Sequence, residues 1–317
     1  MRRNKSKILA HSMTVPKKRG RVVRREVPFL NVNKICIYAK NGGVGDILML
    51  TGPLKLLREK YPKAYIELAI HTDGANDSIF NLINPIGIVD KVSNFRYVRR
   101  ERFGTFVDVS VVAEPAWEVA GINLRSRIAY YAELLGVAIV DLKPFIGLKF
   151  NEKVKAENLT KNKSKVFFLD TSSIDNRRCI PGRVIADVIR LINKNYKNHL
   201  IFVSDWKGLI NNLNKYENVI DVSNLPLREV ASLIEFSDVF FGPDSALMHL
   251  SAAVRTRSIV AFGMIPPEFR ISTYETHEAI RVESLPCLGC WYKPCNNDLK
   301  CMKDLDSYKI FKKISGG

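Results

Sequence analysis

Short apolar runs alternate along this chain with stretches in which apolar residues return every third or fourth position. The first kind predicts buried strands, the second helices with one side on a core. Lys34–Ala39 is the first strand. Ile47, Leu50, Leu54, Leu57 and Tyr61 then repeat at helical spacing, with Lys55, Arg58 and Lys60 between them, so an amphipathic helix is expected up to Pro62. Tyr65–Ile70 and Val107–Val112 read as strands and Ser126–Leu135 as a helix. The alternation restarts at Val166–Leu169. A helix follows on Val184, Ile185, Val188, Ile189 and Ile192, with Pro181 suited to its first turn. His199–Ser204 and Val219–Val222 are strands, Leu227–Phe236 a helix and Ser258–Phe262 a strand. Strand, helix and strand at this pitch imply parallel βαβ units.

One stretch organises the second series. Val239–Phe241 favours a strand, Gly242-Pro243 breaks it, and Asp244 or Ser245 can cap the helix that Leu247, Leu250 and Val254 continue. Ser245, His249 and Ala252 fall on another face of that helix. A helix start with free N–H groups suits an anion, and His249 one turn in would add a donor. An ordinary strand–turn–helix with a core histidine satisfies the same pattern.

Residues 151–164, between the two series, are polar and charged and are the expected linker. The chain then divides into a first α/β domain over 34–150 and a second over 165–317, each a doubly wound sheet. Its 317 residues suit two domains, and its 46% apolar content a packed core. Ligands of open α/β sheets sit beyond the carboxyl ends of the strands, and two such halves can face each other across a cleft.

Charge changes the picture at one end. The formal net charge is +17, and residues 1–33 hold ten Lys and Arg against Glu26 alone. This arm lacks the apolar segment of a signal peptide, and no run approaches the ~18 apolar residues that span a bilayer. A cytoplasmic protein with a flexible basic arm is expected. Attraction to lipid head groups or nucleic acid explains such an arm, and so does solubility alone.

Three groups of residues are candidates for chemistry. The Gly42-Gly43-Val44-Gly45-Asp46 turn lets backbone approach a ligand and sets Asp46 at a helix start, either as a general base or as a cap. It lacks the G-x-G-x-x-G spacing of a dinucleotide site and the Gly-Lys-Ser/Thr of a P-loop. Asp170, Thr171, Ser172 and Ser173, with Arg177 and Arg178 following, could clamp a pyrophosphate or simply form a solvated loop. Cys287, Cys290, Cys295 and Cys301 have the spacing C-x2-C-x4-C-x5-C. Four thiolates would close a structural Zn²⁺ or iron site; free thiols and disulfides are the alternatives.

These pieces together resemble the heptosyltransferase family of glycosyltransferases, family 9. The opening strand, Gly45-Asp46 turn and helix of 34–60, Tyr61-Pro62, Leu227–Ile234, Gly242–Ala253 and Ile259–Gly263 carry the likeness, which spans about 34–302. The cysteine segment 287–301 is similar to one in a subset of that family. The resemblance implies a GT-B fold, with two Rossmann-like domains facing across a cleft. It implies inverting transfer of a heptose or related sugar from a nucleotide-diphosphate sugar to a hydroxyl. Asp46 matches the general base. Ser172, Ser173, Asp244, Ser245 and His249 match donor-holding positions, and Gly45, Thr171, Arg178, Ala246 and Leu247 are counted with them. No cofactor is required for transfer. The acceptor implied is anionic, such as lipopolysaccharide core at the inner face of a membrane. Modified bases of DNA and protein hydroxyls are alternatives, as is a non-catalytic protein that binds nucleotide sugars or nucleic acid. Two departures stand out: Arg178-Cys179-Ile180-Pro181 replaces a Lys before Trp-Pro, and Ala246 replaces a glycine.

Overall fold

The computed structural model describes residues 13–16, 22–25, 33–40, 42–71, 77–113, 126–139, 141–290 and 294–316. In the basic arm, β1 (Met13–Pro16) and β2 (Val22–Arg25) pair as an antiparallel ribbon. The rest of the arm, with the flexibility expected of it, lies outside the described residues.

The first lobe is a parallel four-stranded sheet. It contains β3 (Lys34–Ala39), β4 (Tyr65–Ile70), β5 (Lys91–Asn94) and β6 (Thr105–Asp108), in the order β5-β4-β3-β6. Its helices are α1 (Val44–Lys60), α2 (Asp77–Ile83) and α3 (Arg127–Leu134). The strand expected at Val107–Val112 starts earlier and ends at Asp108. Ser110–Ala113 instead forms a 3-10 turn. The expected one-sided burial of α1 holds only for its second half: every residue from Ile47 to Leu54 is buried, because the helix runs between the sheet and the other lobe.

Residues 151–164, the stretch expected to link the two series, lie mostly in α4 (Phe150–Thr160). Glu152 explains this. Its carboxylate accepts the Lys149 N–H at 2.7 Å, capping the helix start, and pairs with Arg228.

The second lobe has six parallel strands. They are β7 (Lys165–Asp170), β8 (His199–Ser204), β9 (Val219–Asp221), β10 (Val239–Pro243), β11 (Ser258–Ala261) and β12 (His277–Ile280), in the order β12-β11-β10-β7-β8-β9. Its helices are α5 (Gly182–Asn195), α6 (Leu227–Glu235), α7 (Ala246–Ala253), α8 (Glu268–Ile271), α9 (Lys300–Lys303) and α10 (Ser307–Ser315). Val166–Asp170 and the whole of β8 and β10 are buried without interruption, as strands covered on both faces must be.

In each sheet the strand order reverses once, between β3 and β6 and between β7 and β10. Loops leaving the carboxyl ends of these pairs diverge and open a crevice. The two crevices face each other where α1 packs on α7.

Candidate active site between the lobes

Asp46 is the third residue of α1, at the first lobe's reversal. Its Oδ2 accepts the Gly43 N–H at 2.9 Å. Its Oδ1 is paired with Arg127, the first residue of α3 and nearly buried. Both carboxylate oxygens are therefore oriented. Gly45 faces the second lobe. A methyl group there would come within 3.1 Å of the His249 ring, so only glycine allows this approach without displacement.

Across the crevice, Asp244 ends the turn after β10 and is buried. Burial works to raise its carboxyl, but the Arg178 guanidinium at 2.9 Å and Arg270 at 3.5 Å outweigh that and hold it at about 2. Ser245 is the N-cap of α7; its Oγ accepts the Met248 N–H and donates to Asp170 at 2.8 Å. Ala246 and Leu247 form the first turn of α7. The Ser173 hydroxyl donates to the Asp244 carbonyl at 2.9 Å and joins the two loops. His249 is buried, and burial lowers its imidazole to about 3 against the pull of Asp244, so the ring is neutral. Its Nδ1 meets the Tyr274 hydroxyl at 2.8 Å.

The site therefore gathers Gly45, Asp46, Ser173, Arg178, Asp244, Ser245 and His249. Thr171 and Ser172 are turned inward. The Thr171 hydroxyl donates to Asp205 at 2.6 Å and shares 2.8 Å with the Ser172 hydroxyl, so Thr171 supports the loop rather than facing the crevice. Three members were not foreseen: Arg127, Arg270 and Tyr274. Arg270 follows Pro266-Pro267 beyond β11, another strand end, which is the one signal that could have found it.

The cysteine segment stands behind this site. Cys301 packs against Gly263 in the loop after β11, and Cys290 against Met264, Ile265 and Phe269. That loop, with Arg178 and Asp244, lines a small cavity. Burial pushes the Cys301 thiol up to about 11, with Cys290, Cys295 and Cys287 adding to the effect. Among the described residues no three His, Cys, Asp or Glu side chains are gathered closely enough to hold a metal ion as they stand.

Two Rossmann-like lobes with a carboxylate on one and an anion-suited helix start on the other define the GT-B class of glycosyltransferase folds. Residues 91–300 match glycosyltransferase family 9 (heptosyltransferase), and the chain belongs to that family. It is 35% identical over 101 residues to lipooligosaccharide heptosyltransferase 2 of Campylobacter jejuni subsp. jejuni serotype O:2. That match spans 30% of this chain and 31% of the relative, about a third of the relative's length. The fold is similar to that of E. coli ADP-heptose LPS heptosyltransferase II, with TM-score 0.63 and 12% identity over 90% of this chain and 98% of the other. It is also similar to the iron-containing dodecameric glycosyltransferase TibC from enterotoxigenic E. coli H10407, with TM-score 0.65 and 14% identity over 96% and 81%.

Proposed function

We propose that this protein is an inverting glycosyltransferase. It moves a heptose or related sugar from an ADP-type nucleotide sugar to a hydroxyl of an anionic glycan such as lipopolysaccharide core. The observation that carries the reading is the opposition of Asp46 to the Arg178–Asp244–Arg270 cluster and the start of α7, with Gly45 against His249. Asp46, held by Arg127 and the Gly43 N–H, takes the proton from the acceptor hydroxyl as its oxygen attacks the sugar carbon. Attack from the lobe opposite the diphosphate inverts the configuration at that carbon. The leaving diphosphate is met by the Arg178 and Arg270 guanidiniums and by the N–H groups opening α7, with Ser173 and Ser245 nearby. Asp244 offsets one of those two positive charges and fixes both guanidiniums. His249, neutral and bonded to Tyr274 through Nδ1, turns Nε2 toward Gly45 and contributes a directed donor without a fixed charge.

An anionic acceptor is supported by the segment 95–103, which crosses from β5 to β6. There Arg96, Tyr97, Arg99, Arg100 and Arg102 are all exposed. Together with the basic arm they suit a protein working at the inner face of a membrane, held from the surface rather than through it. No helix among the described residues is long and apolar enough to cross a membrane.

Cys287, Cys290, Cys295 and Cys301 would hold a structural Zn²⁺ or iron. Their donor chemistry fits: the Leu299 N–H reaches the Cys295 sulfur at 3.2 Å and the Asn297 amide the Cys287 sulfur at 3.4 Å, contacts that stabilise thiolates. Such a centre would brace the loop behind Arg178 and Asp244.

The test combines donor binding and turnover. ADP should bind and raise the melting temperature. Transfer from ADP-heptose to a lipopolysaccharide acceptor should be lost in Asp46→Asn while ADP binding is kept. Undiminished transfer by that variant removes Asp46 as the base. Transfer confined to DNA carrying modified bases or to peptides would replace the acceptor class.

A further inference from the structure

Three carboxylates surround the second lobe's strand reversal, and each is held differently. Asp244 lies between two guanidiniums. Asp205 accepts the Leu209 and Ile210 N–H groups at 2.9 and 2.7 Å, besides the Thr171 hydroxyl. Asp170, at the end of β7, is fully buried and forms no ion pair among the described residues. It lies flush against the β10 backbone at Gly242, where a methyl group would come within 2.9 Å of its Cβ. Its Oδ1 accepts the Ser172 N–H at 3.2 Å and its Oδ2 the Ser245 hydroxyl at 2.8 Å.

Ser245 has one proton and two lone pairs. As N-cap of α7, its oxygen accepts the Met248 N–H at 3.4 Å. With Asp170 ionised, the Ser245 proton is committed to Asp170 and cannot be offered to an anion at the helix start. With Asp170 protonated, the bond reverses. The carboxylic acid donates to Ser245 Oγ, the Met248 N–H fills the second lone pair, and the Ser245 hydrogen turns outward. Burial without a cation favours the neutral acid and moves Asp170 up to about 7; Asp205 acts in the same direction, and the Ser245 and Ser172 hydrogen bonds oppose it. The charged groups on the packed elements are Asp205 beyond β8 and Asp244 beyond β10, the latter paired with Arg178 and Arg270.

We propose that Asp170 is a proton-carrying positioning residue of the diphosphate site. Binding of the nucleotide draws one proton from solvent onto Asp170, and Ser245 transfers its hydrogen bond from Asp170 to a phosphate oxygen. This rests on the donor reading above and adds to it a coupling between nucleotide affinity and pH.

Calorimetric titration with ADP at about pH 8, in two buffers of different ionisation enthalpy, counts the protons taken up. The wild-type chain should take up about one proton more than Asp170→Asn, whose side chain cannot titrate and whose amide can donate to Ser245. An infrared difference spectrum of the wild type needs no variant. ADP should add a protonated-carboxyl band and remove a carboxylate band, and D170N should lack this pair. Equal proton uptake by the two proteins, or ADP binding by the wild type with no new carboxyl band, overturns the proposal. Failure of ADP to bind either protein overturns the donor reading itself, and is thereby told apart from failure of the coupling alone.

Discussion

Arg127 reaches Asp46 across 81 positions of chain, and the carboxylate has its other oxygen on a backbone N–H. Replacing Arg127 by Met should therefore leave Asp46 present but loosely aimed. Transfer is expected to fall about 100-fold, with the ADP dissociation constant unchanged; steady-state rates and calorimetry on the same preparation check both. Asp244 gives a pH prediction. Its folded carboxyl titrates at about 2, below the usual value of 3.8, so its contribution to stability is present above about pH 4 and lost as pH falls toward 2. Denaturant unfolding should show Asp244→Asn less stable than wild type at neutral pH, with the gap closing in acid. Asp244, Ser245 and His249 were legible in the sequence because a strand–turn–helix fixes their relation within a few residues. Arg127, Arg270 and Tyr274 arrive from remote segments, where spacing says nothing of proximity. The inward turn of the Thr171 hydroxyl depended on Asp205, a partner 34 positions away.

At the scale of elements, most strands and helices could be read from period alone, since parallel strands buried on both faces leave unbroken apolar runs. The crossover α4 could not. Its sequence is polar, and what makes it a helix in place is Arg228 on α6, which pairs with Glu152 and donates to the carbonyls of Leu82, Ile146 and Gly147. One buried guanidinium thus ties the crossover, the first lobe and the second lobe at a single point. Glu152 is held at about 2, with the Arg228 hydrogen bonds the largest cause and burial opposing them. Arg228→Met should cost about 3 kcal/mol, read from the denaturant midpoint. Gly45 on α1 predicts the opposite balance. Gly45→Val would wedge against His249 and should impair transfer strongly while changing stability little, because the crevice can part there more easily than a core can.

For the molecule as a whole, charge and core act on different partners. The exposed arginines of 95–102 should bind vesicles rich in anionic lipid, and changing Arg96, Arg99, Arg100 and Arg102 together to Gln should weaken sedimentation with them by roughly fivefold per residue at low salt. Added salt should erase the difference. The plan of two doubly wound lobes was readable, because two rounds of strand and helix separated by a polar stretch allow few arrangements, and the family resemblance implied GT-B. The way the lobes are joined was not. The apolar cluster that includes Ile35, Leu50 and Ile128 of the first lobe runs without a break into Phe168, Leu247 and Met248 of the second. Halves of the gene expressed separately should each emerge with a raw greasy flank, and clump. Heated intact, the chain should melt in one calorimetric step where two separable units would give two.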